Sequence, residues 1–511
     1  MTTGTPLATT PTFFGRSRLV FYGALFGLLA LAAGLRLLNL TNPPLDFHAW
    51  RQLRAATIAR GMYYEMLPSA DPDTRREAIR LSKSFEVLEP RIFERLVAWT
   101  YYLTGGERLW IARLYAILYW LVGGAGVYAL ARRLTSVDGA LIALSCFLFL
   151  PYGVAASRSF QPDPMMVMWV ILAAYALYRW SEKTSWVWAI LAGLFAGLAI
   201  LIKVFAVYPV AASTLCVVLS TRPLKRAWQD TQVWVMGGLM ILIPGLYYIL
   251  QVGYLAPGYL SAWWGGFREL LITPRFYIVW LRTLDVLMTL PILLAGLAGV
   301  LLLTGKGRAL LLGLWAGYAL IGLTVPSLII THDYYNLILI PVVALSLAPL
   351  GHLFLEKMVD KPRLWQTAFV GVFLLSVAYP AWIARNDLVA KDYRPEILGW
   401  IKMGRELPQD AKIIGITHDY GTRLAYYGWT WVKAWPYALD QEMRALGGSN
   451  VNLSDPVWKQ RFEEETQGYD YFLVTIRGEL DAQPVLKEML AQFPAQDTGG
   501  YILYDLRQRT R

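Results

Sequence analysis

A chain of 511 residues that is 56% hydrophobic and only 16% charged does not fit a soluble globular protein, in which about a quarter of the residues are charged. An aromatic share of 14%, with 21 Trp and 30 Tyr, suits rings lining two membrane interfaces. The net charge of +11 does not indicate nucleic acid, because the Lys and Arg residues are scattered through short loops and form no patch.

A membrane span needs about 20 apolar residues. Windows of that kind fall at about 19–40, 108–131, 137–156, 163–180, 186–202, 204–221, 232–252, 284–304, 309–328, 336–354 and 365–382. They predict a polytopic α-helical membrane protein with about eleven transmembrane helices, the first a retained signal-anchor. The windows on either side of Lys203 could form one broken hairpin. Cys146 and Cys216 both lie in apolar runs, which argues against a disulfide framework or a cysteine metal site.

The basic groups Arg16/Arg18, Arg132/Arg133, Arg179/Lys183, Arg222/Lys225/Arg226, Lys306/Arg308 and Lys357/Lys361/Arg363 alternate with the spans. With the N-terminus inside, all of them fall on the cytoplasmic side. The opposite side then carries Asp46–Gln52, Glu86–Glu94, Arg158–Asp163, Lys203, the 253–283 loop and Thr331–Tyr335. Every candidate chemical group thus faces outward.

The first outer loop, about 41–107, is too long to be a mere connection. Trp50–Met62 suits a short helix lying in the interface plane, Asp71–Lys83 a solvated turn and helix, and the stretch from Pro90 a further helix. After about Ile383 no apolar run is long enough to span. Residues 384–511 read as a soluble extracytoplasmic α/β domain, against a membrane domain over 1–383. Its predicted elements are a helix near 395–407, a strand at 412–417, a helix near 422–427, a strand at 471–476, a helix near 482–492 and a strand at 501–506. His418-Asp419 reads as an ordinary strand-end pair, and the Asn452-Leu-Ser454 sequon as incidental.

The outer face offers the acids Asp46, Glu89 and Asp163 and the cations Arg51, Arg158 and Lys203, besides His48 and the run His332-Asp333-Tyr334-Tyr335. Carboxylates there can act as general bases or hold a divalent cation. Guanidinium and ammonium groups suit phosphate. Such a set fits attack by a hydroxyl or amine on a carbon activated by phosphate, with an acid taking the proton and the cations stabilising the departing phosphate. Blander roles stay open: Asp46 as a helix N-cap, Arg158 and Asp163 as an ion pair, Lys203 as a structural partner to another charge, Tyr334 and Tyr335 as interface-belt rings.

Several of these stretches together resemble known motifs. Asp46-Phe-His-Ala-Trp-Arg-Gln52, followed by Thr57-Ile-Ala-Arg60, resembles the first-loop motif of bacterial family 39 glycosyltransferases. That family belongs to the GT-C superfamily, with the protein O-mannosyltransferases and the lipid A aminoarabinose transferase. Glu89–Ala98, Ser157-Arg-Ser-Phe-Gln-Pro-Asp163, Gly197-Leu-Ala-Ile-Leu-Ile-Lys203 and His332-Asp-Tyr-Tyr335 match further motifs in the same order, over about the first 350 residues. The resemblance implies a GT-C fold and an inverting transferase that takes a sugar from a polyprenyl-phosphate donor at the extracytoplasmic face of the cell membrane, to a glycan, lipid or protein acceptor. It implies Asp46 as general base and Glu89 and Asp163 as essential acids. Lys203, Arg158 and Arg51 would contact the donor phosphate, His48 is a further candidate for binding donor or substrate, and His332 and Tyr335 would line the pocket beside Tyr334. Asp46, His48 and Glu89 are the candidate ligands for a divalent metal ion. The chain departs from the pattern at Phe47, where many relatives carry a second acid, and at Pro90-Arg91. Two other classes share parts of this description: a lipid-linked substrate transporter or flippase, and a polysaccharide polymerase or ligase.

Overall fold

The computed structural model describes residues 12–87, 89–250, 267–446 and 455–509. The Asn452 sequon and residues 253–266 of one predicted outer loop lie outside them. The chain divides into two compact units: residues 1–40, 113–256 and 274–391 form the first, and 41–112, 257–273 and 392–511 the second. The first outer loop therefore groups with the C-terminal residues.

The first unit is helical throughout its described residues. Each of the eleven apolar windows holds helix, but the windows are not equivalent. Seven helices among the described residues are long and apolar enough to cross a membrane, or eight if Pro274–Met288 and Leu290–Leu302, bent by 94°, count as one. Val137–Phe149 and Trp186–Ile202 are shorter apolar helices. Two windows break for local reasons. Pro151 starts a new helix, Pro151–Ala156, after Phe149, because proline cannot donate to the preceding turn. At Lys203 the chain turns extended (φ −154°, ψ 116°) between Trp186–Ile202 and the helical stretch that begins at Val204.

Large apolar side chains such as Leu19, Ile241, Val286 and Leu375 are 83%, 70%, 80% and 68% exposed. Water would not tolerate a surface so composed, whereas lipid matches it. Glycines set the closest helix approaches. A Cβ on Gly313 would lie 2.4 Å from Ser213 Cα and one on Gly317 2.2 Å from Pro209 Cα, so Gly305–Thr324 packs directly on the backbone of Val207–Thr221. Gly193 and Gly197 do the same for Trp186–Ile202 against Thr231–Leu250, where an added Cβ on either would lie 2.6 Å from a carbonyl oxygen. Small residues four apart are the usual device for close packing where no hydrophobic force drives helices together.

The second unit combines helices with one mixed sheet. Its strands are β1 (Ile413–Ile416), β2 (Val432–Ala434), β3 (Tyr471–Val474), β4 (Ala495–Asp497) and β5 (Ile502–Asp505). The order is β2-β1-β3-β5-β4, with β1 parallel to β2 and β3, and β5 antiparallel to β3 and β4. Ile414, Ile416, Phe472 and Val474 pack on one side with Trp435 and Phe462. Ile413, Val432 and Leu473 pack on the other with Trp400 and Leu407. Helices Asp455–Thr466 and Arg394–Glu406 supply Phe462 and Trp400, so β1, Ile-Ile-Gly-Ile, is buried along its whole length. The sequence pattern anticipates β1, β3 and β5 but misses β2 and β4, three-residue strands at the two edges, too short to show a period.

The first-loop segments in this unit are the helices Ala49–Glu65, Pro72–Lys83 and Ile92–Thr104. Asp71 caps the second, its carboxylate accepting from Thr74 N at 2.9 Å, with Pro72 in the first turn. Ala49–Glu65 does not have the half-open face of an in-plane interfacial helix. Leu53, Ala55, Ala56, Ile58 and Ala59 are all buried, as is Arg60, because small residues let neighbouring elements close on it from several sides.

Candidate functional site

The two units each hold part of the predicted set. In the first unit the Asp163–Glu182 helix starts at Asp163, with Pro164 in its first turn. The break after Trp186–Ile202 presents Lys203. The ammonium of Lys203 lies 2.6 Å from Asp163 Oδ1, and the two side chains are 2% and 3% exposed. Lys203 Nζ also sits 4.7 Å from the ring centre of Tyr334 and 4.3 Å from that of Tyr335. Cation–π contact and ion pairing thus act on one desolvated ammonium. Tyr335 packs edge-on to Phe205 at 5.1 Å, and Asp163, Met166, Lys203, Phe205, Ile321, Tyr335 and Ile338 line a small hollow. His332 stands beside both tyrosines, 5.4 Å from Tyr334 and 6.1 Å from Tyr335, with Nδ1 2.7 Å from Thr331 Oγ1.

Asn336, absent from the predicted set, holds this stretch in shape. It is fully buried, its amide donates to the carbonyls of Ile329 (3.1 Å) and Asp333 (3.2 Å), and its oxygen accepts from Tyr318.

Arg158 donates to the carbonyl of Asn39 at 3.2 Å, and Arg113 donates to that same carbonyl at 3.1 Å. Asn39 is left-handed (φ 48°), which is rare for a residue with a Cβ. Arg36 binds the neighbouring turn: it donates to Ser157 Oγ at 2.6 Å and to the carbonyls of Ala32 and Leu148. Arg36, Arg113 and Arg158 are 0%, 2% and 2% exposed. Arg36 and Arg113 escaped the sequence reading, since each sits in or beside an apolar window. A basic residue deep in such a window is itself the signal.

In the second unit Asp46 is exposed, and Gln52 Nε2 lies 3.4 Å from its Oδ1. Gln52 is fully buried and anchored to the Phe47 carbonyl at 2.6 Å. Asp46 does not cap the following helix: the N-cap of Ala49–Glu65 is His48, left-handed at φ 44°, without a side-chain cap bond. Arg51 pairs with Glu89, N–O 3.7 Å, and faces the Trp50 ring. Among the described residues no three His, Cys, Asp or Glu side chains converge as a metal-binding group.

Asp419 and Tyr420 add to this group. Both are left-handed (φ 51° and 54°), and two such residues in succession store strain of the kind found at functional sites. The Tyr420 ring meets that of Trp50 at 6.1 Å, its hydroxyl reaches Asp440, and Arg423 bridges Asp419 and Glu396. Burial pushes the Asp419 carboxyl up to about 6, while the charge of His48 pulls it down. An unfolded Asp titrates near about 3.9. The folded chain then binds more protons between about pH 4 and 6, so stability falls as pH rises through that window. Thermal unfolding across those pH values is expected to show this slope, and Asp419→Asn to flatten it.

Arg60 ties the same region together. It donates to the Tyr426 carbonyl at 2.6 Å and pairs with Glu107 at 2.8 Å. Its guanidinium lies 3.9 Å from the Tyr426 ring centre and 4.4 Å from that of Trp429. Arg60→Met is expected to lower stability by about 2 kcal/mol, since Glu107 loses its ion pair and two rings their cation. Arg60→Lys should restore little of it, lacking the planar fork. Thermal melts of the two variants check both statements.

Residues 90–248 match the family model described as dolichyl-phosphate-mannose-protein mannosyltransferase. No curated protein matches the chain in sequence. In fold the chain is similar to the archaeal oligosaccharyltransferase AglB from Archaeoglobus fulgidus, solved with an inhibitory peptide and a dolichol-phosphate. The TM-score is 0.56 at 14% identity, over 96% of this chain and 74% of that one. It is similar too to ArnT from Cupriavidus metallidurans bound to undecaprenyl phosphate, with TM-score 0.56 and 15% identity over 96% of this chain and 98% of that one. At such identities the likeness is one of fold.

Proposed function

We propose, from the premise that this chain has the GT-C glycosyltransferase fold and carries the mannosyltransferase pattern over residues 90–248, that it transfers a sugar from a polyprenyl-phosphate donor to an acceptor outside the cytoplasm. The observation that carries the reading is the Lys203–Asp163 pair beside Tyr334 and Tyr335 at the rim of a hollow. A desolvated ammonium held in place is what a departing phosphate needs. The fold neighbours' own ligands, dolichol-phosphate and undecaprenyl phosphate, support the donor class.

In this mechanism a hydroxyl or amine of the acceptor attacks the anomeric carbon from the face opposite the phosphate, with inversion. The bond between that carbon and the phosphate oxygen breaks, and its electron pair leaves on polyprenyl phosphate. The nucleophile's proton passes to the carboxylate of Asp46. Lys203, Arg158 and Arg51 offset the charge on the leaving phosphate. His332, Tyr334 and Tyr335 border the reacting sugar. Glu89 and Asp163 are the second and third essential acids, each acting through the cation it holds, Arg51 and Lys203. The sorting of basic residues, with the N-terminus inside, supports the extracytoplasmic face as the side of the reaction. A lipid-linked donor also makes energetic sense there, where nucleotide sugars are not supplied.

Mass spectrometry of envelope glycolipids and glycans, with and without the protein, tests the reading. A sugar-bearing product should disappear without it, and the polyprenyl-phosphate sugar should accumulate. A flippase would instead strand its lipid in the inner leaflet while the transferase activity of washed, permeable membranes stayed intact.

A further inference from the structure

The turn between Arg158 and Asp163 holds a residue with no part in that mechanism. Gln161 is 1% exposed, and neither its Oε1 nor its Nε2 has a hydrogen-bond partner among the described residues. Other polar groups of the same turn are engaged. Ser157 Oγ accepts from Arg36 at 2.6 Å and donates to the Val154 carbonyl at 3.0 Å. Ser159 Oγ donates to the Ala156 carbonyl at 2.7 Å, Arg158 donates to Asn39, and Asp163 accepts from Lys203. A wholly buried amide with both ends unused is costly, and native proteins keep such groups where something else completes them.

The chemistry of the amide narrows what that is. Nε2 can only donate and Oε1 can only accept. A phosphate at neutral pH offers acceptors alone, so it could serve Nε2 and would face Oε1 with like charge. Hydroxyl groups both donate and accept, and neighbouring hydroxyls on one ring can meet both ends of a planar amide.

We propose that Gln161 is a specificity-determining residue whose amide bonds the hydroxyls of the donor sugar rather than the donor phosphate. The inference rests on the reading of the chain as a polyprenyl-phosphate-sugar transferase.

The test uses the full chain in lipid nanodiscs, wild type and Gln161→Leu, with Gln161→Met as a second variant should the first fail to fold. Two quantities are measured: the melting temperature without ligand, and the Kd for undecaprenyl phosphate and for undecaprenyl phosphate bearing mannose, glucose or 4-amino-arabinose. The apolar variant should melt at the same temperature as wild type or higher. Its Kd for bare undecaprenyl phosphate should stay within about twofold, while its Kd for the sugar-bearing lipid that wild type prefers should rise about tenfold or more. Unchanged affinity for every lipid would overturn the proposal and leave the amide to a buried water. Equal weakening for bare and sugar-bearing lipids would overturn it in favour of a phosphate contact. A wild type that binds none of these lipids would instead overturn the transferase reading itself.

Discussion

Asp46→Asn is expected to abolish sugar transfer, by about 10²-fold or more, with expression and donor binding left intact. The substitution keeps the shape of the side chain and removes its capacity to take a proton. The surroundings of Asp46 argue that it is aimed. Gln52 is buried, fixed to the Phe47 carbonyl, and within 3.4 Å of the carboxylate. The next helix starts at a left-handed His48 and is buried along its length. Asp46 itself lies in the bend just before that helix, and a supporting residue on the helix holds a catalytic group better than a loop alone would. Transfer of radiolabelled sugar at saturating donor measures the effect. A variant that retains turnover would remove Asp46 as general base.

Lys203→Ala should have the second large effect, on two separable quantities. Asp163 would be left as a buried carboxylate without its ammonium, which costs about 3 kcal/mol or more. The donor would lose one of its proposed phosphate contacts, and its Kd should rise about tenfold or more, with a smaller change in kcat. The double variant Lys203→Ala/Asp163→Asn separates the two. Removing the stranded charge should recover most of the stability, because the neutral pair no longer has an unmatched ion. Donor affinity should stay weak. A single variant with unchanged donor affinity would contradict the phosphate contact.

Much of this was legible from residue order alone. Apolar windows mark the helices, and the Asp46–Gln52, Arg158–Asp163, Lys203 and His332–Tyr335 stretches stand out as charge beside apolar runs. What stayed hidden depends on contacts between distant residues. Arg60 meets Tyr426 across 366 positions, so the grouping of the first outer loop with the C-terminal sheet leaves no local trace. The pairing of Asp163 with Lys203 depends on how two helix ends meet. Arg36 and Arg113 are hidden by the apolar residues around them. Asp419 looked like a strand end because its left-handed backbone has no signature in composition, and an Asp tolerates it. Gln161 could not be flagged at all, since only coordinates reveal which amides lack partners.

The most direct test of the central claim is donor turnover by the purified full-length protein. Polyprenyl phosphate released from a polyprenyl-phosphate sugar would be quantified in the presence of an envelope extract as acceptor source, for wild type, Asp46→Asn and Lys203→Ala. The account predicts release and sugar incorporation in step for wild type, neither for Asp46→Asn, and for Lys203→Ala partial recovery of both at high donor concentration. Sugar incorporation by wild type without release of polyprenyl phosphate, or equal release from all three proteins, would contradict it.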